Sequence, residues 1–277
     1  MGTLYLIATP IGNLEDISAR ALRLLKEVQY IAAEDTRQTR KLLSHFDIHT
    51  PLTSYHEHSQ GPKLKFILEQ LNTGDVGLVS DAGTPGLNDP GYDLVRAALD
   101  AGHIVSHVPG ACAPVAALVA SGLSTDAFLF LGYLPRKSGE RRRMLGEIAG
   151  LPYTLVFLET PHRLLAALEE MHDILGNRQA AVARELTKLY EEIFRGTLEE
   201  ARQHFSLQAP RGEFTLVIAG SQHQDELWDE MRVSQAINRG IEAGLAPSRL
   251  AGKIAAESGW PRRDIYQMLT DLQNSGE

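Results

Sequence analysis

Two groups of residues stand where an apolar segment stops and could do chemistry. Glu34-Asp35-Thr36-Arg37 follows the apolar run Val28–Ala33, and Asp81 follows Val76–Val79. A carboxylate held beside a bound polar group can take up a proton, and a guanidinium beside it can steady negative charge. The same four residues also suit the start of a helix, where Asp35 or Thr36 would cap it and acidic side chains match the macrodipole. Around Asp81 the sequence is VGLVSDAGTPGLNDPG, with Gly83, Pro85, Gly86, Pro90 and Gly91 in one loop. So much Gly and Pro after a buried strand shapes the backbone either for a turn or for close approach to a ligand.

Other charged motifs are more ambiguous. Tyr55-His56-Glu57-His58 places two histidines two residues apart, with no Cys pair or His-Glu-x-x-His run to complete a metal site, so no metal is expected. Five of the eight residues from Arg136 to Arg143 are Lys or Arg. They form either a solvated helix face or a grip on RNA phosphates. Glu159-Thr160-Pro161-His162-Arg163, Arg184-Glu185-Leu186-Thr187-Lys188 and Pro210-Arg211-Gly212-Glu213 repeat the arrangement of a strand beside a polar loop. No G-x-G-x-x-G or G-x-x-x-x-G-K-[ST] follows a strand, so a cofactor would be held by several separate loops.

These residues need a scaffold, and the hydrophobic pattern predicts one. Leu4–Ala8, Val28–Ala33, Val76–Val79 and Ile104–Val108 read as strands separated by helices such as Ile17–Val28 and Leu64–Leu71. That is an α/β sheet with a site along one edge. Phe128–Leu131, Thr154–Leu158, Ala180–Ala183, Glu192–Phe194 and Thr215–Ala219 read as a second, mixed sheet with helices Arg163–Leu175 and Leu198–Phe205. The last block has no strand pattern. Ser248–Glu257 and Arg262–Leu272, split by Ser258-Gly259, read as a helix-turn-helix or as a helical appendage that packs or dimerises. The expected organisation is an α/β domain at 1–118, a second at 119–222 and a helical domain at 223–277, with a ligand cleft between the first two.

The chain has 277 residues and a net charge of −8, which disfavours a nonspecific nucleic-acid coat but allows a local basic patch. A single cysteine, Cys112, excludes an internal disulfide and fits a cytoplasmic protein. Met1-Gly2-Thr3-Leu4 does not open a signal peptide, and the longest apolar stretch, around Ala111–Leu123, is too short to cross a bilayer.

Thr9-Pro10-Ile11-Gly12-Asn13, Ala33-Glu34-Asp35-Thr36-Arg37, Tyr55-His56-Glu57-His58, Ser80-Asp81-Ala82-Gly83-Thr84-Pro85-Gly86, Leu134-Pro135-Arg136-Lys137, Pro161-His162-Arg163 and Arg184-Glu185-Leu186-Thr187-Lys188 occur in this order. In them the chain resembles the tetrapyrrole methylase superfamily, specifically the members that act on ribosomal RNA. The resemblance runs from residue 1 to about 220 and on through the tail. It implies two α/β domains, S-adenosylmethionine in the cleft between them, and usually a homodimer. The implied reaction is methylation of the ribose 2′-hydroxyl of one cytidine in the decoding region of small-subunit (16S) rRNA.

By motif, the cofactor should touch Pro10, Asp81, Gly83, Ala111, Ala113, Phe130, Leu158, Arg184 and Thr215. Glu34, Asp35 and Glu185 are the implied bases, with Arg37 or Lys188 against the forming alkoxide. His56, Arg136, Lys137, Arg141, Arg142, Arg143, Arg262 and Arg263 are the implied RNA contacts. Pro109-Gly110-Ala111-Cys112-Ala113 departs from the Pro-Gly-Pro-Ser-Ala expected there, which puts a hydroxyl contact from position 112 in doubt but not backbone contacts. A same-fold enzyme acting on a tetrapyrrole or protein, and a non-catalytic RNA-binding assembly factor, are the alternatives.

Overall fold

A computed structural model describes residues 2–56, 61–221, 228–243 and 245–274. The chain forms two compact units, Met1–Ala149 with Tyr153–Gly220, and Gly150–Pro152 with Ser221–Glu277.

The larger unit begins with β1 (Thr3–Ile7), α1 (Ala19–Glu27), β2 (Tyr30–Ala33), α2 (Thr36–His45), β3 (Leu52–Ser54), α3 (Pro62–Leu71), β4 (Val76–Val79), α4 (Tyr92–Asp100), β5 (Ile104–Val108) and α5 (Ala113–Ser121). Its five strands are all parallel, in the order β3-β2-β4-β1-β5. The sequence pattern had offered four; β3 is only three residues long, too short to show an alternation. All of β4 is buried, as expected of a central parallel strand covered on both faces. The helix expected over Ile17–Val28 starts at Ala19, because the Ser18 side chain accepts the Ala21 N–H and caps it there.

Strand order fixes where a ligand can enter. From β1 the chain moves out to β2; from β4 it crosses β1 to reach β5. The connections diverge between β1 and β4, so the loops after these two strands flank a crevice.

The second sheet follows, built from β6 (Phe128–Tyr133), β7 (Thr154–Glu159), β8 (Gln179–Arg184), β9 (Glu192–Thr197) and β10 (Phe214–Ile218), with α6 (Ser138–Ile148), α7 (Leu164–Leu175) and α8 (Leu198–Ser206). Its order is β6-β7-β10-β8-β9. Only the pairing of β6 with β7 is parallel, so the sheet is mixed, as the pattern predicted. One face carries Val156, Ala181, Ala183 and Val217, which pack with Ala117 and Leu118 of α5. A helix that follows the first sheet in the chain thus covers the second sheet, tying the two together. On the opposite face, Phe205 of α8 meets Phe214 edge-on, with ring centroids 5.6 Å apart.

The smaller unit contains α9 (Glu230–Glu242), α10 (Pro247–Ser258) and α11 (Arg262–Asn274). Val233, Ile237, Leu250, Ala251, Ile254, Ile265 and Leu269 form its core. Gly259 ends α10 with φ +69°, a left-handed cap that glycine adopts without strain. No helix among the described residues is long and apolar enough to cross a membrane.

Candidate active site

Loops at the carboxyl ends of the first sheet's strands are stitched into one wall. Thr9 and Gly83 exchange both backbone hydrogen bonds, at 2.8 and 3.0 Å, joining the loops after β1 and β4. The Thr9 hydroxyl donates to the Ser80 carbonyl, and the Thr84 hydroxyl donates to the Ala111 carbonyl, each at 3.2 Å. Asp81 closes the set: its Oδ1 accepts the Asp35 N–H at 3.0 Å, while its own N–H donates to Glu34 Oε2 at 3.4 Å. Gly83 holds φ +82°, and a side chain there would press on Ile11.

The second sheet supplies the facing wall. After β8, Glu185 and Thr187 adopt left-handed backbone conformations (φ +49° and +65°), uncommon for a glutamate and strained for a β-branched threonine. This tight turn presents Thr187 Oγ1 to the Asn13 N–H at 3.1 Å. Gly12 lies against the same turn; a Cβ on it would come within 2.3 Å of Lys188 Cγ. Lys188 Nζ donates to Glu185 Oε1 at 3.0 Å and to Glu213 Oε2 at 2.9 Å.

Between the walls lie two adjoining chambers. The first, about 250 Å³, is lined by Glu34, Asp81, Gly83, Ala113, Leu158 and Thr215, among others. The second, about 440 Å³, is lined by Pro10, Gln38, Lys41 and Lys188, among others. Both share Ile11, Asp81, Ala82 and Glu213.

The first chamber is acidic. Burial raises the Glu34 carboxyl above its ordinary value, and the charges of Asp89, Asp81 and Asp35 push the same way. Burial likewise raises Asp81 and Asp89. Asp35 behaves oppositely. Its hydrogen bonds with Arg37 bring it down to about 2, and it caps α2 by accepting the Arg37 N–H. At Glu185, burial opposes ionisation but is outweighed by hydrogen bonds from Lys188 and the Glu213 N–H, so its carboxyl stays below the usual range.

Several expected residues converge and others do not. Asp81, Gly83, Ala113, Leu158, Thr215 and Glu34 line the first chamber, and Pro10 and Lys188 the second. Ala111 lines neither chamber; its carbonyl accepts from the hydroxyl of Thr84, which lines the first. Phe130 packs against the α5 core rather than lining either chamber. Two expectations need correction. Arg184 pairs in register with Phe214, whereas Thr215 pairs with Ala183 and Leu158. The Arg184 side chain therefore lies on the sheet face away from Thr215, bonded to Glu192 Oε2 and the Arg211 carbonyl, and lines neither chamber. Arg141 is buried and makes a two-pronged bond to Glu170, with both contacts at 2.7 Å, so its guanidinium does not face RNA. It also donates to the Pro135 and Arg136 carbonyls and clamps that loop.

Of the remaining RNA candidates, His56, Arg136, Lys137, Arg142, Arg143 and Arg263 are exposed. Arg262 donates to Ser248. Glu57 and His58 lie outside the described residues. Sequence reasoning did not select Asn88, Asp89 and Tyr133 of the first chamber, Glu213 of both, or Gln38 and Lys41 of the second. Asp89 sits in the same Gly/Pro-rich loop as Asp81, and Glu213 directly precedes β10, positions that could have marked both. Lys41 lay on a helix that the apolar pattern had not outlined.

The tetrapyrrole (corrin/porphyrin) methylase family matches residues 3–202. Three similar relatives are each named ribosomal RNA small subunit methyltransferase I. The one from Halalkalibacterium halodurans is 48% identical, covering 96% of this chain and 94% of the relative. That from Synechocystis is 45% identical over the full length of both, and that from Bacillus subtilis 42% identical over 96% and 93%. Among solved structures, a diphthine synthase aligns with a TM-score of 0.60 at 13% identity, covering 79% of this chain and 90% of that one. The uroporphyrin-III-C-methyltransferase of Thermus thermophilus aligns with a TM-score of 0.53 at 19% identity, covering 78% and 94%. Those two share the fold, and the family match and the full-length relatives fix the lineage: the chain belongs to the tetrapyrrole (corrin/porphyrin) methylases.

Proposed function

We propose that the protein transfers a methyl group from S-adenosylmethionine to the ribose 2′-hydroxyl of a cytidine in the decoding region of small-subunit (16S) rRNA. The observation that carries this reading is the pair of adjoining chambers, one acidic and one bearing lysines, with Asp81 in the shared wall. A methyl transfer needs two ligands in contact across such a boundary. The names of the full-length relatives supply the substrate class.

The first chamber suits the cofactor chemically. Glu34, Asp81 and Asp89 offer carboxylates to a cationic sulfur and an ammonium group, and Ile11 and Leu158 offer apolar surface to a purine. Gly83 leaves its wall free of a side chain at the tightest point. When bound, the cofactor supplies an electrophilic methyl carbon on a positively charged sulfur.

The chain's own residues then align and activate the hydroxyl. Passing its methyl group to the ribose oxygen and keeping the carbon–sulfur electron pair on sulfur, the cofactor would leave the hydroxyl proton for the protein to take up. Glu34 is the residue we assign to take that proton. Its carboxyl is half-buried and raised, whereas Asp35 is committed to Arg37 and Glu185 to Lys188. Lys188, already fixed by two carboxylates, is placed to steady the developing oxyanion, and Arg37 is a second cation at the start of α2. Holding the three reacting atoms in line contributes about 7–11 kcal/mol of the barrier reduction.

Arg136 and Lys137, with His56, form an outer contact to rRNA to which Arg142 and Arg143, each already facing a carboxylate, add little, and Arg262 and Arg263 of the helical unit form a further one. The active form is a homodimer in the cytoplasm. Supporting self-association, Ile104 on edge strand β5, Phe128 on edge strand β6, and Val115 and Val119 four residues apart on α5 are exposed.

The test is transfer of labelled methyl to small ribosomal subunits from a strain lacking the protein, followed by nucleoside mass spectrometry. One 2′-O-methylated cytidine is the expected product. Label on a base, on protein or on no nucleoside at all would overturn the assignment.

A further inference from the structure

The second chamber carries an observation that the cofactor does not explain. Two lysines line it, and their surroundings differ. Lys188 is paired with Glu185 and Glu213, whereas among the described residues the Lys41 ammonium bonds only to the Gln38 amide, at 3.0 Å. Lys41 sits on α2, whose sequence TRQTRKLLSH holds three Lys or Arg residues and no Asp or Glu. The cleft is therefore polarised: Glu34 and Asp89 lie on one side of the wall that holds Asp81, and on the other lies a lysine with no acidic partner among the described residues.

That polarity sorts two oppositely charged ligands. A sulfonium belongs on the acidic side, and an anion belongs beside Lys41. At about 440 Å³ the chamber lies in the range that small ligands occupy. Leu14 and Leu42 give it apolar surface, and the Gln38 amide both donates and accepts hydrogen bonds. Apolar walls, one amide and one cation suit a base, its polar edge and a phosphate. A nucleotide stacked in an RNA strand cannot bring its ribose to a walled cleft, and enzymes that modify nucleotides solve this by turning them out of the strand.

We propose that the second chamber receives a single nucleotide turned out of the rRNA, with Lys41 bound to a phosphate flanking it and Gln38 facing its base. This rests on the RNA-methylating reading above and adds a positioning residue to it. Lys41 sets where the ribose stands relative to the shared wall and does not touch the reacting atoms.

Arg40 provides a charge-matched control. It is the neighbouring residue on the same helix, also exposed, but lines a different surface depression with Ser44 and His49. With small subunits as substrate, Lys41→Ala should raise KM about tenfold with kcat within about twofold, and lower the salt slope of binding by about 1. Lys41→Arg should restore most of the KM. Arg40→Ala should move KM less than about twofold, and S-adenosylmethionine affinity by calorimetry should be the same in all variants. If the wild type methylates the subunit but Lys41→Ala matches Arg40→Ala in KM and salt slope, the nucleotide site is wrong and the methylating reading stands. If the wild type places no methyl on any RNA nucleoside, the methylating reading itself falls, and this inference falls with it.

Discussion

Helices α2 and α6 each carry three Lys or Arg residues, yet the structure puts them to different use. In and beside α6, Lys137 meets Glu140, Arg141 meets Glu170, Arg142 meets Asp173 and Arg143 meets Glu147. Glu140 and Glu147 come from α6 itself, and Glu170 and Asp173 from α7, which packs alongside. In α2 only Arg37 has an acidic partner, Asp35, among the described residues. The run that looks most basic in the sequence is thus locally close to neutral. The shorter, less conspicuous one projects a field into the cleft. A count of cations along a chain says little until the acids supplied by neighbouring elements are subtracted.

If this contrast is right, changes around α2 should alter turnover and changes in α6 should alter stability. The largest expected effect is at Glu34, which directly precedes the α2 cap. Glu34→Gln should lower kcat by about 10²–10⁴-fold while leaving the denaturation midpoint nearly unchanged. The pH profile sharpens the test. Since burial raises the Glu34 carboxyl, wild-type activity should fall on the acid side at a pH above the ordinary glutamate range, and the residual activity of the variant should lack that limb. Steady-state kinetics from pH 5 to 9 measure both. Unchanged kcat in Glu34→Gln would remove the α2 end of the cleft from the chemistry.

Arg141→Ala is the counterpart in α6. The Arg141 and Glu170 side chains are 8% and 13% exposed, and removing one leaves the other buried and unpaired. Such a loss typically costs about 3–5 kcal/mol, read by urea denaturation. The hydrogen bond from Arg141, aided by Ser138, lowers the folded-state value of Glu170. A carboxyl depressed in this way stabilises the fold fully above its unfolded value, and that contribution disappears as pH falls through the folded value. Wild-type stability should therefore drop in acid below the ordinary glutamate range, and Arg141→Ala should lose part of that acid dependence. Arg141→Ala with wild-type stability but weakened RNA binding would mean that this guanidinium leaves Glu170 for RNA.

The same contrast shows what the sequence could convey. The crevice was legible because it depends on local signals: β4 is a short apolar run buried on both faces, and the Gly/Pro loop after it begins with Asp81. Glu34 and Asp81 each follow an apolar run, and parallel pairing of β2 with β4 brings those ends together. What escaped was whatever a distant partner decides. Nothing local tells that Arg141 will find Glu170, 29 residues on, or that Arg178 will find the carbonyls of Ala149 and Ala219. Arg184 was misplaced for a subtler reason. Alternation sets it opposite Ala183, but which face looks onto the cleft depends on register with β10, and a shift of one residue would exchange them. The cap of α2 at Asp35 is legible in the sequence, but its extent and β3 are not, because a mostly polar ten-residue helix and three residues carry little hydrophobic periodicity.

The smallest expected effect is the most discriminating for the contrast itself. Arg142 and Arg143 are exposed, but each already faces a carboxylate, Asp173 at 3.6 Å and Glu147 at 2.9 Å. A phosphate that recruits either must displace that carboxylate or approach it, so little net charge is gained and few counterions are released. Replacing both with Ala also leaves Asp173 and Glu147 uncompensated on an exposed surface, where such pairs contribute about 0–1 kcal/mol. The double variant should therefore bind small subunits within about threefold of wild type and change the salt slope by less than Lys41→Ala alone does. A slope reduced by about 2 would mean that both arginines leave their partners for phosphate. The neutrality of α6 would then be a property of the unbound protein, and its cations would count in full once RNA arrives.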